Sequence, residues 1–148
     1  SLGMHAKTSV LINQPATTPT HFMEKEIGAL PSIHLRRLRQ INGTPVVVDD
    51  DYLLTPPIDK VPTAAAEQSI YQYFEGELGL KIAYATKEIT VVPASPDIAA
   101  ELKLAAGSLA VVVKSLVYLE DTTLFQLTTS YHRPDRFRFI DFARRQSI

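Results

Sequence analysis

Residues 33–41 alternate strictly: Ile33, Leu35, Arg37, Arg39 and Ile41 fall on one face of a strand, His34, Arg36, Leu38 and Gln40 on the other. After Asn42-Gly43 the alternation resumes, with Val47, Asp49, Asp51 and Leu53 sharing a face that is apolar at its ends and charged between. The pattern predicts a β-hairpin over residues 33–54 with two arginines at positions that read as core. A three-residue loop, 42–44, sets Arg37 opposite Asp49, whereas a two-residue Asn-Gly turn shifts the register by one and sends Asp49 to the other face. The longer loop is preferred because it pairs a buried cation with an anion.

Around this hairpin the other elements follow from pattern and punctuation. Residues 8–12 form a short β-prone piece, and residues 13–31, broken by Pro15, Pro19 and Gly28, leave room for at most one short helix around "HFMEKEIG". "TPPIDKVPT" is a loop, because its prolines donate no ladder hydrogen bonds. A helix then ends near Leu78, with Gly79 just beyond it; it can start at Thr63, or at Ser69 in the capping box Ser69-Ile70-Tyr71-Gln72. "LKIAYATKEITVV" is a long strand stopped by Pro93, and Ser95-Pro96-Asp97 opens a second helix that runs to about Leu104. "LAVVVKSLVYLE", "LFQLTTSYHR" and "RFRFIDF" complete the strands. Strands close together in sequence with few helices predict an antiparallel α+β domain, its helices on one face.

Composition narrows the function. A chain of 148 residues is one domain's length, and its 45% hydrophobic and 21% charged residues are ordinary for a globular protein. A formal net charge of −1 supplies no bulk positive field for nucleic acid or anionic lipid. With no cysteine there is neither a disulfide framework nor thiolate chemistry, which suits the cytoplasm. No apolar run is long enough to span a bilayer and no secretion signal opens the chain. Residues 1–6 read as a cloning scar (Ser1-Leu2-Gly3) and linker remnant, and residues 7–148 as the domain.

Three features point to a ligand. Arg37 and Arg39, if they face a cavity, leave a positive site that costs several kcal/mol until an anion completes it, and a planar guanidinium suits phosphate or carboxylate. A hairpin laced with surface ion pairs is the competing and, on composition, the simpler reading. Ser69 at a helix start, with free N–H groups after it and Tyr71 one turn in, forms a second anion-directed element, or simply a capped helix. Gln126, Thr128, Ser130 and His132 line one face of a strand; uncharged hydrogen-bonding groups are what a sugar requires. Asp49, Asp50 and Asp51 read as a solvated strand end, and the four histidines lack metal-ligand spacing, so no metal or cofactor is predicted. No catalytic motif appears, and no enzyme is predicted.

Taken in order, "HLRRLRQINGTPVVVDDDYL", "SIYQYFEGELGLKI", "KEITVVPASPDIAAELKL" and "FQLTTSYHRPDRFRF" resemble the UTRA domain, the effector-binding half of GntR-type repressors of the HutC branch. Within that branch "KEITV" and "HRPDRFRFIDFARR" are most similar to trehalose operon repressors. The resemblance implies a chorismate-lyase-like antiparallel sheet with helices packed on it, a homodimer, and a sugar-phosphate effector, trehalose 6-phosphate foremost. It implies that Arg37, Arg39, Ser69 and Tyr71 hold the phosphate, and that Asp49, Gln126 and His132 face the sugar. Operator DNA would then be bound only through a winged helix-turn-helix domain absent from this chain. An enzyme of the same fold acting on a small carboxylate, a sensor for another sugar phosphate, and a dimerisation module with a vestigial pocket are the alternatives. The family often carries Glu at the positions of Asp49 and Gln126 and Tyr at that of His132, and Glu120-Asp121-Thr122 replaces its usual glycine turn.

Overall fold

A computed structural model describes residues 4–145; the scar residues Ser1 to Gly3 lie outside the described residues. Eight strands form: β1 (Ala6–Thr17), β2 (His21–Phe22), β3 (Lys25–Glu26), β4 (Pro31–Ile41), β5 (Thr44–Leu54), β6 (Ile82–Pro93), β7 (Leu109–Leu119) and β8 (Leu124–His132). Six of them make one antiparallel sheet in the order β1-β4-β5-β8-β7-β6, and β2 and β3 pair apart from it. The α+β class therefore holds. Between the sheet strands lie α1 (Thr63–Gln68), α2 (Ile70–Gln72), a π-turn over Tyr73–Glu77 and α3 (Pro96–Glu101).

The β4–β5 hairpin pairs Arg37 with Asp49 as the preferred register requires, but by a different route. Its loop is the two-residue Asn42-Gly43 turn, both residues at positive φ, with Ile41 opposite Thr44. A bulge between Arg39 and Gln40 in the pairing then absorbs one residue, so Arg39 meets Val47 and the register is restored. Thr63 and Ser69 are likewise not alternatives. Two helices meet at Ser69, which is extended, ends α1, and accepts a hydrogen bond from the Gln72 N–H at 3.3 Å to cap α2. Pro62 occupies the cap position of α1.

Other expectations are corrected. The segment around "HFMEKEIG" is the β2–β3 hairpin rather than a helix, turning at Met23 and Glu24, both at positive φ. β1 is far longer than residues 8–12, because it pairs with β4 from Ala6 to Thr17 with a single irregularity at Leu11. α3 ends at Glu101 instead of Leu104, since Lys103 has left-handed backbone. "RFRFIDF" forms no strand: a 3-10 turn (Pro134–Arg136) is followed by irregular chain with Phe139, Ile140 and Phe142 exposed. Thr122, in the turn between β7 and β8, takes the left-handed conformation that favours glycine.

Helices pack on both faces of the sheet, not one. On the first face Ile33, Leu35, Leu53, Val117 and Phe125 meet Ala66, Ile70 and Phe74, with Ile58 and Val61 of the proline loop closing the cluster. On the second face, Phe22 of the hairpin covers Leu54, Leu116 and Leu127, and Ile98 and Leu102 of α3 cover Leu38 and Val48. Arg36 fastens α3 there, its Nε donating to Asp50 at 2.9 Å and its Nη1 to Asp97 and Glu101 at 3.1 Å each. The second face is thus covered by both elements. On the first, the helices reach only the half nearest Ile33 and Phe125, and the remainder is open.

Candidate functional site

Register turns the open half-face into a grid. One cross-strand row runs Leu35, Asp51, Thr128, Ser115, Lys87; the next runs Arg37, Asp49, Ser130, Val113, Ile89. Arg39, Val47 and His132 stand in the row beyond. A cleft of about 320 Å³ lies over the first two rows, lined by Arg37, Asp49, Asp51, Lys87 and the polar stripe Gln126, Thr128, Ser130 and His132, with Tyr71 reaching down from α2.

Five of the seven residues singled out in the sequence therefore line one cleft: Arg37, Asp49, Tyr71, Gln126 and His132. The other two do not line it. Arg39 is exposed and lines a neighbouring pocket with Phe137, Arg136 and Arg138, which shares His132 with the cleft. Ser69 borders a shallow groove between α1 and the π-turn, beside Gln72 and Gly76. The anticipated pair of desolvated guanidiniums with one carboxylate is thus one guanidinium with two.

Arg37 Nη2 donates to Asp51 Oδ2 at 3.2 Å and stands 3.9 Å from Asp49 Oδ2. Asp51 is fully buried and not a solvated strand end, because Leu35 and Leu53 beside it are core. Burial pushes its carboxyl up to about 6, Arg37 pulls it down, and the like charge of Asp49 adds to the rise. Ser130 donates a short hydrogen bond to Asp49. Tyr71 donates to Gln126 Oε1 at 3.1 Å, and burial raises the phenol's pKa, with the Asp51 charge next. Burial lowers the pKa of His132, against the pull of Asp49, and its ring packs edge-on against Phe137.

Arg37 Nε is buried in the cleft and makes no hydrogen bond among the described residues, and the Thr128 hydroxyl stands beside Asp51 across the strands, where it helps to lower the Asp51 pKa. Buried polar groups are nearly always paired, so a guanidinium N–H left over in a cleft lined by hydroxyls that can both donate and accept describes a place for a polyol or oxyanion. No group of three or more His, Asp or Glu side chains among the described residues could hold a metal ion. Lys87 and Asp51 are the site residues sequence reasoning missed. The available signals were a lysine among apolar neighbours on its strand face and an aspartate next to Leu53 on its own.

Comparison with known proteins agrees with this fold. The sequence profile described as the UTRA domain matches residues 1–138. The HTH-type transcriptional regulator TreR of Bacillus subtilis is 48% identical over 109 residues, 74% of this chain and 46% of that protein. The HTH-type transcriptional regulator Rv0792c of Mycobacterium tuberculosis is 31% identical over 94% of this chain and 53% of its own length. The chain thus spans about half the length of these curated relatives. Among solved structures, the effector binding domain of the B. subtilis trehalose repressor superposes with a TM-score of 0.78 at 38% identity, covering 95% of this chain and 99% of that one. A GntR-family regulator from Bacillus cereus shares the fold, with a TM-score of 0.82 at 20% identity over 94% of this chain and 99% of its own.

Proposed function

The chain belongs to the UTRA domain family, and from that premise we propose that it is the sensor of a transcriptional repressor, binding a phosphorylated sugar, trehalose 6-phosphate foremost, in the cleft over β5 and β8. The observation that carries this reading is the convergence of Arg37, whose buried Nε lacks a partner among the described residues, with a neutral hydrogen-bonding stripe in one cleft. In this reading Arg37 and Tyr71 meet the phosphate and Asp49, Gln126 and His132 the sugar hydroxyls, while Arg39 stands in the neighbouring pocket that shares His132 and Ser69 in a separate groove. Binding, not catalysis, is the role, and the domain acts in the cytoplasm. Effector and operator are coupled reciprocally through a DNA-binding domain outside these 148 residues. Calorimetric titration tests the reading: trehalose 6-phosphate binds at about micromolar Kd, roughly −8 kcal/mol, and trehalose and glucose 6-phosphate bind far more weakly. Silence from all three removes the trehalose assignment.

The same proposal includes a homodimer. β6 is an edge strand 12 residues long with Ile89, Val91 and Val92 exposed, and an uncovered apolar edge of that length is a pairing surface. Sedimentation velocity should find a dimer, and a chain carrying Ile89→Glu with Val91→Glu should sediment as a monomer. A monomeric parent chain would sink the homodimer.

A further inference from the structure

Two cations line the cleft, and they differ in what already neutralises them. Arg37 is held by Asp51 at 3.2 Å and has Asp49 at 3.9 Å, two carboxylates against one guanidinium. Lys87 enters from β6, on the opposite side of the cleft, and its Nζ donates only to the neutral Ser115 hydroxyl at 3.1 Å. It forms no ion pair among the described residues. Its row continues through Ser115 to Thr128 and Asp51, a run of hydroxyls ending at a buried carboxyl. A hydroxyl-bearing ligand whose anionic group meets the ammonium would satisfy the whole row.

We infer that Lys87 is a direct ligand of the effector's anionic group, and that the cleft recognises a phosphate monoester on a polyol by drawing on this edge-strand ammonium as well as on Arg37. The inference rests on the sugar-phosphate reading of the same cleft. Arg37 is oriented by its carboxylates and supplies geometry; Lys87 carries the charge that those carboxylates leave uncancelled. Ser115 holds the ammonium over the cleft until an anion arrives, and a neutral hydroxyl is a weaker partner than an oxyanion.

The 148-residue chain, its Lys87→Met variant and its Lys87→Arg variant are titrated with trehalose 6-phosphate, trehalose and inorganic phosphate. Loss of one charge-assisted contact predicts that Lys87→Met binds trehalose 6-phosphate about tenfold or more weakly, that trehalose affinity is unchanged, and that Lys87→Arg stays within about threefold of the parent. Lys87 is exposed, so both variants fold, Lys87→Arg melts with the parent and Lys87→Met, which strands the buried Ser115 hydroxyl, melts slightly lower. Equal affinity of Lys87→Met and parent for trehalose 6-phosphate overturns the inference, as does an equal loss for trehalose, which would place Lys87 on a sugar hydroxyl. If the parent binds inorganic phosphate in a Lys87-dependent way while ignoring trehalose 6-phosphate, the anion site stands and the sugar reading falls. If the parent binds none of the three, both fall.

Discussion

Arg37→Ala should lower the stability of the domain by about 2 kcal/mol at pH 7.5, because breaking a buried pair strands the surviving charge and the stranded carboxyl escapes that cost only by staying protonated. The stranded charge is Asp51, fully buried, with Asp49 on the same face beside it. The cost depends on pH in a direction that can be worked out. In the intact domain the Asp51 carboxyl sits at about 6, above its ordinary value, so its protonated form is favoured in the fold. Its contribution to stability is full below the ordinary carboxylate range and is lost as pH rises through 6. Arg37 is the influence that holds this value down, so removing it moves the loss to higher pH and deepens it. Chemical unfolding between pH 4.5 and 8 should therefore show parent and variant converging in acid and diverging in base. Adding Asp51→Asn to Arg37→Ala should recover most of the loss at pH 7.5 and flatten the dependence. Effector affinity should stay at least about tenfold reduced in that double variant, since the charge-assisted hydrogen bonds to phosphate are gone. A variant as stable as the parent at pH 7.5 would mean that Asp51 is already neutral or solvated there.

Much of this site is readable from alternation alone. A period of two puts Arg37 with Leu35, and Gln126 with Thr128, Ser130 and His132, whatever the rest of the fold does. What alternation cannot carry is the account of which strands stand side by side. A two-residue turn plus a bulge pairs Arg37 with Asp49 just as a three-residue loop does, so the correct pairing followed from an incorrect turn. Asp51 looks solvated in sequence because it closes a run of three acids; it is buried because α1 and α2, distant in the chain, cover its neighbours. Lys87 shares a face with Ile89 and Val91, but that face becomes a cleft wall only when β6 pairs with β7. The Met23-Glu24 turn carries no glycine or asparagine and so announces no hairpin. "RFRFIDF" has strand propensity without a partner strand, and propensity alone does not form one.

The largest loss of stability is expected from Phe74→Ala, and it should be felt in the cleft. Phe74 is wholly buried in the π-turn and meets Phe125 of β8 edge-on at 5.5 Å and Tyr71 at 5.9 Å. Deleting a buried ring of this kind costs about 4 kcal/mol, from lost transfer energy plus an unfilled cavity, and for a domain of this size that lowers the melting temperature by roughly 12 °C. The functional consequence follows from Tyr71. Its hydroxyl reaches Gln126 Oε1 from a short helix whose footing on the sheet is Ile70 and Phe74. Without Phe74 the phenol keeps its chemistry and loses its placement, so effector affinity should fall well before the domain melts. Phe74→Leu keeps most of the volume and should recover more than half of the stability and most of the binding. Tyr71→Phe keeps the packing and removes only the hydroxyl, so it should weaken binding at near-parental stability. If Phe74→Ala lost its stability but bound the effector at full affinity below its melting point, Tyr71 would have no part in holding the ligand, and recognition would rest on the sheet alone.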